Sequence, residues 1–177
     1  MTMRAERAGR AVVLALGSNL GDRRDILQGG VDAIAGLSEV RVIAVSPVYE
    51  TVPVGGPPQP DYLNAVLLAE TTLPSRELLD RLHEIEAAFD RVRLLRWGPR
   101  TLDIDIIVFG SERSDDPELT LPHPRAHERA FVLAPWHDVD PDAALPGHGP
   151  VAELLAKADH SGLRLSDLSL VIPEGMP

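Results

Sequence analysis

The chain has no cysteine in its 177 residues, which excludes a disulfide framework, a thiol nucleophile and thiolate-ligated metal sites. Aromatic residues supply only 4% of the sequence. That is too few for the exposed stacking platform by which a sheet binds single-stranded RNA. Basic residues are the minority, 17 Lys and Arg against 27 Asp and Glu, for a formal charge of −10. The balance disfavours a nucleic-acid binder and suits a cytoplasmic protein. No apolar run approaches the ~18 residues needed to cross a membrane, so no membrane partner is expected. Met1 to Arg10 is short and charged, lacks an apolar signal core and reads as a flexible N-terminal extension. Residues 11–177 then form a single domain, since this length supports one well-buried core and is short for two.

What basic character there is lies in one place. Residues 91–100 hold Arg91, Arg93, Arg96 and Arg100 with no acid among them, and such a loop points to a small anionic ligand. It leads through the turn signal Gly98-Pro99 into Thr101–Phe109, a mostly β-branched apolar run closed by Gly110. The spacing predicts a strand. Side chains alternate across a strand, so Leu102, Ile104, Ile106 and Val108 share one face while Thr101, Asp103, Asp105 and Ile107 share the other. The two aspartates lie roughly 6.5 to 7 Å apart, from a rise of about 3.3 Å per residue. Two carboxylates that close repel unless something positive sits between them. A hard divalent ion such as Mg²⁺, which uses one or two carboxylates plus substrate phosphates, fits the pair, and the flanking Arg96 and Arg100 suit phosphate. An isolated Asp-x-Asp on the solvated face of an antiparallel strand is ordinarily polar decoration. The adjoining arginines and the Trp97-Gly98-Pro99 turn favour the cation.

The other segments supply a frame. Ala11–Leu16 is a buried strand entering the turn Gly17–Asp22, followed by a helix with Ile26, Leu27, Val31 and Ile34 on one face, Asn19 or Asp22 as cap and Gly36 as stop. Both a phosphate cradle at the helix N-terminus and a plain strand-to-helix turn fit Gly17-Ser18-Asn19-Leu20-Gly21. A second strand is expected from Val40 to Val48, running on into Thr51. Four prolines and two glycines then make 52–60 an exposed loop. Asp61–Ala69 reads as a third strand with Tyr62 and Asn64 on one face. A helix from Pro74 to about Asp90 buries Leu78, Leu79, Leu82, Ile85 and Phe89 and leaves His83 and Glu86 off its apolar stripe, where side chains are ordinarily solvated. Ser111–Glu118 reads as loop, Glu128–Trp136 and Val151–Ala158 as short helices, and the tail after Ser161 holds one strand at most. The arginine loop beside the carboxylates reads as a lid over a polyphosphate. The order β-α-β-β-α-β is that of a ferredoxin-like α/β (α+β) fold, a sheet covered by helices. That fold hosts many functions and does not choose among them.

Arg96-Trp97-Gly98-Pro99-Arg100-Thr101-Leu102-Asp103-Ile104-Asp105-Ile106 resembles the signature of the 6-hydroxymethyl-7,8-dihydropterin pyrophosphokinases of folate biosynthesis. Three further stretches agree in order: Leu16–Gly21, Gln59–Ala65, and Leu121–Arg125 with Glu128–Leu133. The resemblance covers roughly residues 11–155. It implies a ferredoxin-like fold, a monomer, and transfer of pyrophosphate from ATP to the hydroxymethyl group of the pterin, leaving AMP. On matched positions Asp103 and Asp105 would hold two Mg²⁺ ions, with Asp105 also placed to take the hydroxyl proton. Arg91 and Arg100 would bind phosphates and stabilise transition-state charge. ATP would further meet Glu86, Arg93, Trp97, Ile106, Thr120, His123 and Arg129. The pterin would lie between Tyr62 and Phe131, its edge read by Asn64 and by Thr51, Pro53 and Val54, with Trp97 closing over it. Leu94, Glu118 and His83 depart from residues common in the family at the nucleotide side. A metal-dependent phosphohydrolase using the same carboxylates, with water as nucleophile, is the alternative chemistry.

Overall fold

The first apolar run forms the central strand of the molecule, β1 (Arg10–Ser18). In the computed structural model, which describes residues 9–53, 58–89 and 101–174, the strand begins one residue inside the expected extension, since Arg10 already pairs with Thr71. After it come α1 (Arg23–Ala35), β2 (Val40–Val45), β3 (Tyr49–Thr51), β4 (Tyr62–Thr71), α2 (Ser75–Phe89) and β5 (Asp103–Phe109). Asp22 is the cap of α1: its carboxylate accepts the Asp25 backbone N–H at 3.1 Å. An acidic side chain thus holds the place that an anion would take, and the phosphate-cradle reading of the Gly17–Gly21 turn falls.

The single strand expected over 40–51 is divided at Ser46–Val48. Ser46 exchanges backbone and hydroxyl hydrogen bonds with Val66, at 2.9 and 2.8 Å. Pro47, which has no N–H, cannot continue the ladder. Both halves still pair antiparallel with β4. With β1 between β4 and β5, the order β5-β1-β4-(β2, β3) is the ferredoxin-like one, antiparallel throughout.

Helices cover both faces of this sheet. Leu14, Leu16, Ile104 and Phe109 meet Leu27, Val31, Leu78 and Leu82 of α1 and α2 on one side. On the other, Val13, Val66 and Ile107 meet Val132, Leu133 and Trp136 of α3 (Ala130–Val139) and Val151 of α4 (Val151–Lys157). Strict alternation along β5 fails at one point. The pairing with β1 steps from Val13↔Val108 to Leu14↔Ile106, a bulge that leaves Ile107 as the extra residue. Val108 therefore packs with the α3 side instead of joining Ile104 and Ile106. Asp103 and Asp105 lie before the bulge and keep their shared face.

The segment 111–118, expected as loop, contains β6 (Ser114–Asp116), which pairs with β7 (Leu119–Leu121). Asp116 closes that hairpin by accepting the Glu118 backbone N–H at 2.9 Å. A short 3₁₀ turn, Ala126–Glu128, precedes α3, which carries Pro135 in its interior. Pro135 has no N–H, so the Phe131 carbonyl lacks its helical donor. A small pair, β8 (Ala144–Leu145) with β9 (Gly149–Pro150), leads into α4. The tail adds β10 (Leu163–Leu165) to the free edge of β3.

Candidate active site

Strand register lines up the polar residues of the sheet. Tyr49 pairs with Asn64, Asn64 with Gly17 and Gly17 with Asp103, a row across four strands. Cross-strand partners share a face, so Asp103 and Asp105 stand on the face that bears Tyr62, Asn64 and Thr51, on the α3 side. Asn64 is buried, and its Nδ2 donates to Thr51 Oγ1 at 2.9 Å. Between this pair and the aspartates lies Gly17, whose missing side chain matters: a Cβ there would come within 3.2 Å of Asn64 Oδ1 and 3.9 Å of the Tyr62 ring. The gap keeps the middle of the face open. Just beyond it Asn19, fully buried, donates through Nδ2 to Gln59 Oε1 at 2.8 Å and the Pro60 carbonyl at 3.3 Å, fixing the strand entry at Tyr62.

At the β5 edge opens a cleft of about 290 Å³ lined by Glu86 and His83 of α2, by Asp103, Ile104, Asp105 and Ile106, and by 117–120, His123 and Pro124. Arg76 holds the hairpin that walls it, meeting Asp116 at 2.6 Å and Glu118 at 3.0 Å. Glu86 is not the solvated residue its helical position suggests. Burial first, then the nearby Asp103 carboxylate, push its carboxyl up from 4.5 to about 8, and it hydrogen-bonds the Asp103 side chain and the Ile104 backbone amide. His123 is held down to about 4, chiefly by burial and next by the Arg129 guanidinium. Its Nδ1 accepts the Arg125 backbone N–H at 3.2 Å, so the neutral ring carries its proton on Nε2 as a donor. The Arg129 guanidinium stands 5.5 Å from the centre of the Phe131 ring. Among the described residues no group of three or more His, Cys, Asp or Glu forms a metal cage. A pair of carboxylates beside a third that is driven toward its neutral form does fit a hard cation that keeps waters and takes its remaining ligands from phosphate.

Sequence comparison matches residues 13–141 to the profile of the 7,8-dihydro-6-hydroxymethylpterin-pyrophosphokinases. The chain belongs to this pyrophosphokinase family. A Pseudomonas aeruginosa 2-amino-4-hydroxy-6-hydroxymethyldihydropteridine pyrophosphokinase is 46% identical over 152 residues, which cover 86% of this chain and 94% of that one. The enzyme of the same name from Mycobacterium tuberculosis is 47% identical over 170 residues, 87% of this chain and 88% of its own. In fold the chain resembles the Plasmodium falciparum HPPK-DHPS crystal structure, with TM-score 0.67 at 16% identity over 87% of this chain. It spans only 45% of that longer polypeptide.

Read as a pyrophosphokinase, the chain brings Glu86, Asp103, Asp105, Ile106, Thr120 and His123 to one cleft. Thr51, Tyr62 and Asn64 gather on the adjoining part of the sheet face. Arg129 reaches His123 electrostatically, and Phe131 packs on the α3 side. Pro53 lies two residues beyond the end of β3, half-buried. Val54, Arg91, Arg93, Trp97 and Arg100 fall outside the described residues, as do Leu94 and the whole arginine loop 91–96 expected as a lid. Of the departures at the nucleotide side, His83 and Glu118 both line the cleft, and Glu118 is engaged by Arg76. Sequence reasoning missed Gly17 as a spacer and Asn19 as a loop anchor. The signal was present in the Gly-Ser-Asn run, but it concerned strand register and not phosphate.

Proposed function

We propose that this chain transfers pyrophosphate from ATP to the hydroxymethyl oxygen of 6-hydroxymethyl-7,8-dihydropterin, leaving AMP, as a folate-biosynthetic enzyme. One observation carries the reading: the aspartate pair and the Asn64–Thr51 pair share one sheet face across the side-chain-free Gly17. A flat ring that hydrogen-bonds Asn64 points a substituent along the row toward Asp103. Tyr62 and Phe131 take the two faces of that ring, and Thr51, Pro53 and Val54 its edge. The nucleoside enters the cleft between Glu86, Ile106 and Thr120. His123, neutral at physiological pH, donates Nε2–H to a phosphate oxygen, and Arg129 adds fixed positive charge beside it.

Asp103 and Asp105 are the residues to hold two Mg²⁺ ions, which when bound neutralise phosphoryl charge and acidify the attacking hydroxyl. Asp105 accepts the hydroxyl proton. Arg91 and Arg100 meet the charge that develops on the transferring group, and Arg93 and Trp97 complete the nucleotide and pterin contacts. Seating the ring along the row holds the hydroxymethyl oxygen, in place of solvent, beside the transferring group. The acidic surface accords with a cytoplasmic monomer acting on small molecules, in one domain over 11–177.

The test is an omission experiment with ATP and Mg²⁺ present throughout. AMP forms only when the reduced hydroxymethylpterin is supplied. Rapid phosphate release without the pterin would replace the proposal with a phosphohydrolase.

A further inference from the structure

Three of the residues assigned to the pterin, Thr51, Tyr62 and Asn64, stand on one face of β3 and β4, and a charge cluster occupies the opposite face directly behind them. Glu50 sits between Tyr49 and Thr51 with its side chain on the α1 side. It is ion-paired to Arg23 at 3.4 Å and to Arg164 of β10 at 3.1 Å. Arg164 also meets Asp61 Oδ2 at 3.2 Å, while Arg23 donates to the Asp61 carbonyl at 2.7 Å. Two arginines, one from the start of α1 and one from the tail, thus join the end of β3 to the residue before β4. Glu50 and Asp61 thus flank the segment that joins β3 to β4. The backbone repeats the link, since the Val52 N–H donates to the Gly162 carbonyl at 3.2 Å and the Ser166 N–H to that of Val48 at 3.0 Å. Gly162 has φ +74°, and a Cβ there would come within 3.3 Å of Val52, so the tail fits this strand closely.

We propose that Arg164, acting with β10, is a positioning residue for the pterin. By holding Glu50 and Asp61 it steadies the last ladder pair of β3 and β4, Thr51 with Tyr62, and keeps the Thr51–Asn64 hydrogen bond aligned with the ring edge. The inference rests on the pterin assignment above. It concerns a segment beyond the 13–141 stretch that the family profile matches. Charge completes the clamp: Arg23 holds Asp61 through its carbonyl, and among the described residues Arg164 supplies the ion pair to its carboxylate. The pterin is uncharged, so any salt dependence of its binding reads the clamp and not the ligand.

Arg164 is largely exposed, and the Arg164→Ala variant folds. Its KM for the pterin rises about fivefold, the scale of losing two partly exposed ion pairs, while kcat and the KM for ATP stay within about twofold of wild type. Arg164→Lys restores most of the loss. High salt raises the wild-type pterin KM toward that of the alanine variant, and amide exchange at Val52 and Ser166 quickens in the variant. An unchanged pterin KM, or an equal rise in the KM for ATP, would overturn the proposal even if exchange quickened. No pterin turnover by the wild-type protein would instead overturn the activity reading and the positioning role with it. In that event the exchange data report a brace without a substrate.

Discussion

Replacing Glu86 by glutamine tests the electrostatics of the cleft without touching either aspartate. In the folded protein the Glu86 carboxyl is pushed up from 4.5 to about 8, by burial and by Asp103 and then Asp105. The folded state therefore holds a proton that the unfolded chain has released over this range, and stability falls as pH rises through it. The contribution is complete below about 4.5 and gone above about 8. At full strength the rise corresponds to about 5 kcal/mol. Glu86 is only partly buried, and solvent screening reduces this to about 1–2 kcal/mol. Metal-free wild-type protein thus loses about 2–8 °C of Tm between pH 5 and pH 9 through this residue, at about 2–4 °C per kcal/mol for a chain of this size. Glu86→Gln keeps the shape, cannot ionise, and removes that part of the slope: the variant equals wild type near pH 5 and is the more stable at pH 9. The assay is thermal unfolding in chelator at a series of pH values. Parallel profiles for the two proteins would show that the three carboxyl groups do not form one electrostatic unit.

Four other substitutions probe separate parts of the site and its frame. Asp103→Ala or Asp105→Ala lowers kcat by at least about 100-fold with the fold retained by circular dichroism, whereas near-normal turnover in either variant would remove that residue from metal binding. Gly17→Ala places a Cβ 3.2 Å from Asn64 Oδ1 and raises the pterin KM about tenfold without changing the KM for ATP; equal changes for both substrates would show that Gly17 is not a spacer on the pterin side. Gly30→Val crowds the buried Leu102 and Leu16, already 3.2 and 3.4 Å from a Cβ at that position. It costs about 2–3 kcal/mol and lowers Tm by about 4–12 °C, and an unchanged Tm would mean that α1 shifts freely over β1 and over Leu102, the residue before β5.

The elements that position the site were legible because each rests on local chemistry. The Ile26–Ile34 and Leu78–Ile85 stripes, the Asp22 cap and the β-branched run through Asp103 and Asp105 needed no knowledge of partners. What escaped depends on pairing. The break at Ser46–Val48 comes from hydrogen bonds to Val66, and the side taken by Val108 from a bulge opposite β1. Glu86 looked solvated on its helix because its cover comes from β5 and the β7 hairpin, distant in sequence. The polar segment after Gly110 became a hairpin through its register with Leu119–Leu121, which composition alone does not specify.

The proposed reaction moves two phosphoryl groups as one unit across the face between Asn64 and Asp103. Phosphorus-31 NMR of a single turnover with ATP, Mg²⁺ and reduced hydroxymethylpterin reads it directly. AMP and a pterin diphosphate form in equal amounts, and the appearance of ADP with a pterin monophosphate would contradict pyrophosphoryl transfer.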